Sequence, residues 1–567
     1  MNENRNWVLA IVLAGLILFG WPVLVNKFFP TATAPTTKVE NGKVVATPNP
    51  VGADPTADTP RAIRARTVVL AETPRVQIDT PRVKGSINLK GARIDDLVLA
   101  GYRETIAKDS PPVRLFSPAG TPSAYFAGFG WAGQGLAAPG NDTVWQANAP
   151  VLRQGQPVTL TARSGAQVYR IEIGIDDGYM FTVRQSVGNA GSGPVAVQGY
   201  GYLSRADKGT DKDQWTIQVG PMWVANGAAT YDINYDDVVG GAKSVTTTGG
   251  WAGFTEHYWL ASLVPDQKRP TELRFRANGS GGYQADIRAA APTIVPAGQV
   301  FTSTSRLFAG AKEVDLLDRY EDVEGVAMFD KAIDWGWFEF FEKPIFYLLD
   351  WLFRFFTNFG VAIIALTFIV RGLMFPIAQK QFASMAGMRA VQPKMKALQE
   401  RYKDDKPRLQ QEMMKLYKDE KVNPLAGCLP ILIQIPIFYA LYKVLLLTIE
   451  MRHQPFALWI KDLAAPDPAT PVNLFGLLDF APPAFLAIGV LPILVGITMW
   501  MQFKLNPQPM DDIQKQVFGL MPWILMFVMA PFAAGLQLYW ATSNLLTIAQ
   551  QKWLYSRHPS LKQPVAK

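Results

Sequence analysis

Residues 361–378 read VAIIALTFIVRGLMFPIA, an apolar run interrupted by a single charge, Arg371. A run of this length suits a helix crossing a hydrocarbon core of roughly 30 Å. A guanidinium at bilayer depth costs at least about 2.5 to 3.5 kcal/mol on insertion scales, so something in the fold has to compensate it. Arg354 lies upstream and Lys380 downstream. At a rise of 1.5 Å per residue they are roughly 25 Å and 13 Å away, which puts Arg371 in the cytoplasmic half of the bilayer. Two compensations are open: the side chain snorkels to the cytoplasmic headgroups, or a hydrated groove between helices receives it.

Outward from this run, apolar stretches at 7–25, 350–376, 429–449, 483–503, 517–531 and 535–553 predict six membrane helices. The loop at 377–429 carries eleven Lys or Arg against six Asp or Glu, which marks it cytoplasmic. Both termini are then expected in the cytoplasm, with residues 61–330 and the 451–482 loop outside it. The 7–25 stretch reads as an uncleaved signal anchor, because a cleaved leader has a shorter apolar core. The sequence thus divides into an N-terminal anchor at 1–28, a Pro/Thr-rich tether at 29–60, a soluble domain at 61–330, an interfacial amphipathic helix at 331–349, a five-helix core at 350–553 and a basic tail at 554–567. Within the core, 377–428 is expected to fold as a helical hairpin, since Met385, Met388, Met395, Leu398 and Tyr402 recur near helical spacing and DDKP at 404–407 marks a turn.

The soluble domain has the period-two pattern of strands. Tyr169, Ile171, Ile173 and Ile175 share one face, as do Tyr179, Phe181 and Val183, with Gly- and Asn-containing turns between the runs. A β-sandwich is predicted, with no pocket chemistry of its own. The lone Cys428 forms no intramolecular disulfide, so this domain must hold together by core packing. Three scattered histidines make no metal site, and no nucleotide-binding or hydrolase motif stands in a supporting context. No cofactor is expected. The net charge of +8 comes from basic residues beside apolar segments rather than from one stripe, so direct sequence-specific nucleic-acid binding is not expected.

The other membrane segments favour a groove around Arg371. Gln537, Trp540, Asn544 and Gln551 form a polar stripe on one helix, Gln434 stands between Pro430 and Pro436 on another, and Thr367 lies one turn before Arg371. Any one of these polar groups also suits interhelical packing. Lys443, nine residues from Gln434, faces elsewhere and is expected to snorkel outward with Glu450 on its own face.

The stretches FIVRG at 368–372, QEMMKLYKDEKVNPLAGCLPILIQIPIF at 411–438, PFALWIKDL at 455–463, LPILVGITM at 491–499 and SNLLTIAQQ at 543–551 resemble the YidC branch of the YidC, Oxa and Alb family of membrane insertases. The resemblance spans the C-terminal half. It implies an insertase and chaperone, not an enzyme, that moves segments of nascent proteins into the bacterial inner membrane, alone or beside the Sec translocon. It also implies a groove open to cytoplasm and lipid, with Arg371, Thr367 and Gln434 at matching positions, and a client path along Leu432, Ile435, Phe438 and Val528. Ribosome contacts, and contacts to the signal recognition particle or its receptor, would fall on the hairpin and the basic tail. The chain departs from its relatives at Trp540, where a second tyrosine is common, and at Lys443, where an uncharged aromatic is common. The rival class, a secondary transporter or channel, calls for internal repeats and paired intramembrane charges, and neither occurs. An intramembrane protease lacks its catalytic pairs.

Overall fold

The computed structural model describes residues 63–557 except 135, 210–216, 279–280, 404, 421–428, 476–477, 479, 481–482, 484–486 and 506–511, together with the short pair Val39–Glu40 and Lys43–Val44. The predicted anchor at 7–25 and the tail beyond 557 lie outside the described residues.

Between Arg75 and Ala311 the chain forms a nine-stranded and an eleven-stranded sheet. The alternation seen in the sequence is the reason. Tyr169, Ile171, Ile173 and Ile175 are all buried, and their strand pairs antiparallel with Met180–Asn189, setting Ile171 opposite Gln185 and Ile173 opposite Val183. That second strand pairs on its other side with Val300–Ala311, which returns from more than a hundred residues away. Gln185 turns inward, and its amide donates to the Gly130 carbonyl of the opposite sheet at 2.8 Å. Gly310 has no side chain because a Cβ there would lie 2.1 Å from the Tyr179 ring.

Eight longer helices follow or flank this domain's end. Helix α1, Val314–Asp322, leads into a turn at Phe329–Ala332 that buries Phe329 against Trp251 and Phe308. Helix α2, Glu339–Phe356, is amphipathic: Phe346, Leu349 and Leu352 are buried while Phe340, Trp351 and Phe355 are exposed. It stops at Thr357, which adopts a left-handed conformation and donates its N–H to Phe353. Asn358 then caps helix α3, Phe359–Arg401, its side chain accepting from Val361 N–H at 3.1 Å. The interfacial helix therefore runs through 350–356, which run length alone joins to the next span. Arg354 sits on it, paired with Asp315 and Asp350, and is not a marker within the span.

Helix α3 is 43 residues long, roughly 65 Å at 1.5 Å per residue, so it far exceeds a bilayer. Its first part, Phe359–Gln379, is long and apolar enough to cross a membrane. The remainder continues as the first arm of the hairpin, and helix α4, Lys406–Asp419, is the second arm, capped by Asp405. Helices α5 (Leu429–Leu447), α6 (Val490–Leu505), α7 (Asp512–Met529) and α8 (Ala534–Arg557) complete the bundle. Leu373 on α3 is 75% exposed, and Ile497, Trp500, Trp523 and Phe527 are exposed on α6 and α7. An apolar outer face of this extent is that of a protein solvated by lipid.

Candidate functional site

Helix α8 packs against α3, α5 and α6, so its polar side chains decide what the centre of the bundle can do. Arg371, twelve residues into α3, lies about 18 Å along the helix from its outer end. The half-buried guanidinium donates to the Ser543 hydroxyl of α8 through Nε at 3.0 Å and through a second nitrogen. Among the described residues no carboxylate pairs with it. A cation held by a neutral hydroxyl keeps most of its donors available, and in a partly desolvated position its attraction for an anion is stronger than in water.

Spacing along α8 alone did not foretell the partners of the other candidates. Gln537 is fully buried, and its amide donates to the carbonyls of Met529 and Phe532, both at 2.8 Å. It ties off the tight turn between α7 and α8. Asn544, also buried, donates to Thr498 on α6 at 3.1 Å and so acts between helices. Trp540 is half-buried and meets the Phe438 ring of α5 edge to face, with centroids 4.8 Å apart. Thr367 is buried and returns its hydroxyl to the Ile363 carbonyl of its own helix at 2.7 Å. Ile435 and Val528 present exposed side chains, 57% and 52% accessible. Leu432 and Gln434 lie on α5 with side chains outside the described set. Ser543 was not among the residues singled out in the sequence, although it stands three positions after Trp540, at the spacing that defines the stripe.

Lys443 corrects the sequence reading. It does not snorkel: the side chain is buried, and the ammonium donates to the Asp334 carbonyl at 2.6 Å. The segment entering α2 covers this end of α5, and local spacing along α5 carries no record of that cover. Glu450 is half-buried, its carboxyl accepting from Val314 N–H at the start of α1.

Gln537 offers a direct stability test. Gln537→Leu removes two hydrogen bonds and leaves the Phe532 carbonyl without its side-chain donor, while the Met529 carbonyl keeps the Phe532 N–H at 3.0 Å, a loss on the order of 1 to 3 kcal/mol. The thermal midpoint of the detergent-solubilised protein is expected to fall by several degrees, with Asn544→Leu giving a smaller shift. An unchanged midpoint would rule out the capping role.

Residues 351–561 match the family model described as 60Kd inner membrane protein, and residues 75–348 match that of the YidC periplasmic domain. The membrane protein insertase YidC of Zymomonas mobilis subsp. mobilis is 48% identical over 562 residues, covering 98% of this chain and 96% of that protein. The protein of the same name from Rhizobium etli is 44% identical over 580 residues, covering 98% and 96%. A crystal structure of an active YidC insertase with its first transmembrane domain resolved is 18% identical, covers 87% of this chain and 94% of its own, and superposes with a TM-score of 0.37. Two models that tile the sheet domain and the helical bundle in order, with near-full-length relatives at this identity, leave one conclusion: the chain belongs to the YidC family of membrane protein insertases.

Proposed function

We propose that the chain inserts nascent membrane proteins into the bacterial inner membrane by receiving the polar flank of a client at Arg371 while the apolar segment passes into lipid along α5 and α7. The protein is a non-enzymatic insertase, and its sheet domain is periplasmic. Arg371 attracts acidic residues of the incoming flank, and Gln434 and the half-buried Trp540 line the groove that hydrates it, whereas Thr367, Gln537 and Asn544, expected in that groove from the sequence, are buried, bonded within the bundle and only frame it. Leu432, Ile435, Phe438 and Val528 form the apolar path. Burial at about 25 cal/mol per Å² of apolar surface supplies tens of kcal/mol for a whole helix, so transfer into lipid drives the step and the groove lowers the barrier for the polar part. Six spans place both termini in the cytoplasm, where the hairpin and basic tail face the ribosome and the signal recognition particle or its receptor. The chain acts alone or beside the Sec translocon.

The observation that carries the reading is the half-buried Arg371 guanidinium, held by one serine hydroxyl. Arg371 and Ile435 each lie twelve residues from the outer end of their own helix, about 18 Å along its axis. Site-specific photocrosslinking to a stalled nascent membrane protein tests it. Probes at 435 and 528 are expected to give strong adducts, with 432 also reactive. A probe at 438 is expected to be weaker, because that ring packs against Trp540. The absence of adducts at all four positions would overturn the client path.

A further inference from the structure

Helix α5 carries a cation and is followed by an acid that the groove does not use. Lys443 and Leu446 lie at the end of α5, which stops at Leu447, and Glu450 follows on the short turn Ile449–Met451 after an extended Thr448, so it does not continue the Lys443 face of the helix as its spacing predicts. All three meet elements of the sheet domain or the segment that leaves it. The Lys443 ammonium donates to the Asp334 carbonyl at 2.6 Å, and His257 Nε2 is hydrogen-bonded to the Leu446 carbonyl at 2.7 Å. The Glu450 carboxyl accepts from Val314 N–H at 3.0 Å. Just beyond, Arg452 donates to the carbonyls of Arg103 and Glu104 at 2.8 and 3.2 Å and lies over the Trp259 ring. Most of these bonds end on backbone atoms of folded elements, so they define position more sharply than a pair of mobile surface charges does.

We propose that this seam makes Glu450 and Lys443 positioning residues: the periplasmic domain grips the outer end of α5 and thereby sets the placement of Ile435 and Phe438 farther along the same helix. The positioning claim rests on the client path assigned above, whereas the grip itself does not.

Charge around the seam gives the grip a pH signature. Glu450 is half-buried with one carboxyl oxygen shut off from solvent, and this desolvation, with like charge from Glu313 and Asp350 and against the opposing bond to Val314 N–H, pushes its carboxyl up to about 8. Glu313 is held by Arg82, Tyr102 and Tyr179, and Asp350 by Arg354. Glu342 on α2, buried beside Lys443 with Asp334 and Glu339 near, is pushed up to about 7. Both shifts are upward from the ordinary carboxyl range, so the docked form binds the protons more tightly. Docking is therefore strongest below about pH 4.5, the ordinary glutamate value, and weakens as pH rises from there to about 8.

The test uses the full chain with Cys428→Ser, spin-labelled at Val300→Cys on the sheet domain and Leu458→Cys on the bundle, in phosphatidylethanolamine–phosphatidylglycerol vesicles. The inter-label distance is expected to be narrow near pH 6 and to broaden near pH 9. Glu450→Gln, which keeps the acceptor and cannot ionise, reduces that broadening, and the double variant with Glu342→Gln abolishes it. Glu450→Ala broadens the distance at both pH values and lowers insertion about fivefold relative to Glu450→Gln, the worth of one buried hydrogen bond. A wild-type distance that is the same at both pH values, or a double variant that broadens like the wild type, would overturn the grip. Distances that respond while insertion and the crosslink from 435 do not would overturn the positioning role. Missing client adducts with responsive distances would overturn the client path and the positioning claim with it, leaving the grip intact.

Discussion

Arg371→Ala is expected to reduce insertion of a short client with an acidic translocated tail by about tenfold, the effect of roughly 1.4 kcal/mol on the rate-limiting step. The magnitude follows from the surroundings of the guanidinium. It is half-buried and bonded to the Ser543 hydroxyl, so an arriving carboxylate gains charge-assisted hydrogen bonds in a medium less polar than water. Arg371→Lys keeps the charge but loses the two-nitrogen hold on Ser543, and most activity is expected to remain. A client whose tail carries no acid should be nearly indifferent to either change. Insertion into proteoliposomes, scored by protease protection at equal protein levels, separates these cases. Equal activity of the alanine variant on the acidic client would end the electrostatic account.

The same arginine shows how far a sequence reaches. Its place in a helix long and apolar enough to cross a membrane was legible, because a lone charge inside a long apolar run is costly enough to stand out. Two strands of the sheet domain were legible one by one: the alternation at 169–175 and 179–183 requires one buried face, and that face is buried. Which strands become neighbours was not, since Met180–Asn189 pairs with Val300–Ala311 across more than a hundred residues and local pattern encodes no partner. Run length also hid the break between α2 and α3. Its signal was polar rather than apolar: Thr357 and Asn358, a left-handed stop followed by a helix cap, interrupt a stretch dense in phenylalanine. Along α8 the spacing revealed that polar groups share a helix, but Gln537 answers to a turn, Asn544 to α6 and Ser543 to Arg371. Lys443 and Glu450 were the least legible, because the atoms that satisfy them, the Asp334 carbonyl oxygen and the Val314 nitrogen, belong to segments more than a hundred residues earlier.

Gly360→Val is expected to be among the most damaging substitutions in the bundle. A Cβ at 360 would lie 2.0 Å from the Phe456 ring, and the rest of the loop has little room to retreat. Asn358 donates to the Phe456 carbonyl at 2.9 Å, while the N–H groups of Ala534 and Gly535 on α8 hold the carbonyls of Ala465 and Leu463 at 2.8 and 2.9 Å. The 455–465 loop is thus fastened across the first turns of both α3 and α8, the two helices joined by the Arg371–Ser543 bond. Overpacking of this kind costs about 1 to 3 kcal/mol and at times more, and here the loop must also give up one of its anchors. A fall of several degrees in thermal midpoint is expected, with impaired insertion of acidic and neutral clients alike, because the damage is to the frame and not to the charge. Phe456→Ala in the same chain removes the clash. The double variant should therefore be more stable than Gly360→Val alone, a coupling of about 0.5 to 3 kcal/mol in a double-mutant cycle. Gly372→Ala is the control: no atom lies within 4 Å of its Cβ, and alanine favours a helix interior, so that variant should be as stable as the parent or slightly more so. Simple additivity of Gly360→Val and Phe456→Ala would show that the ring contact is not what requires glycine at 360.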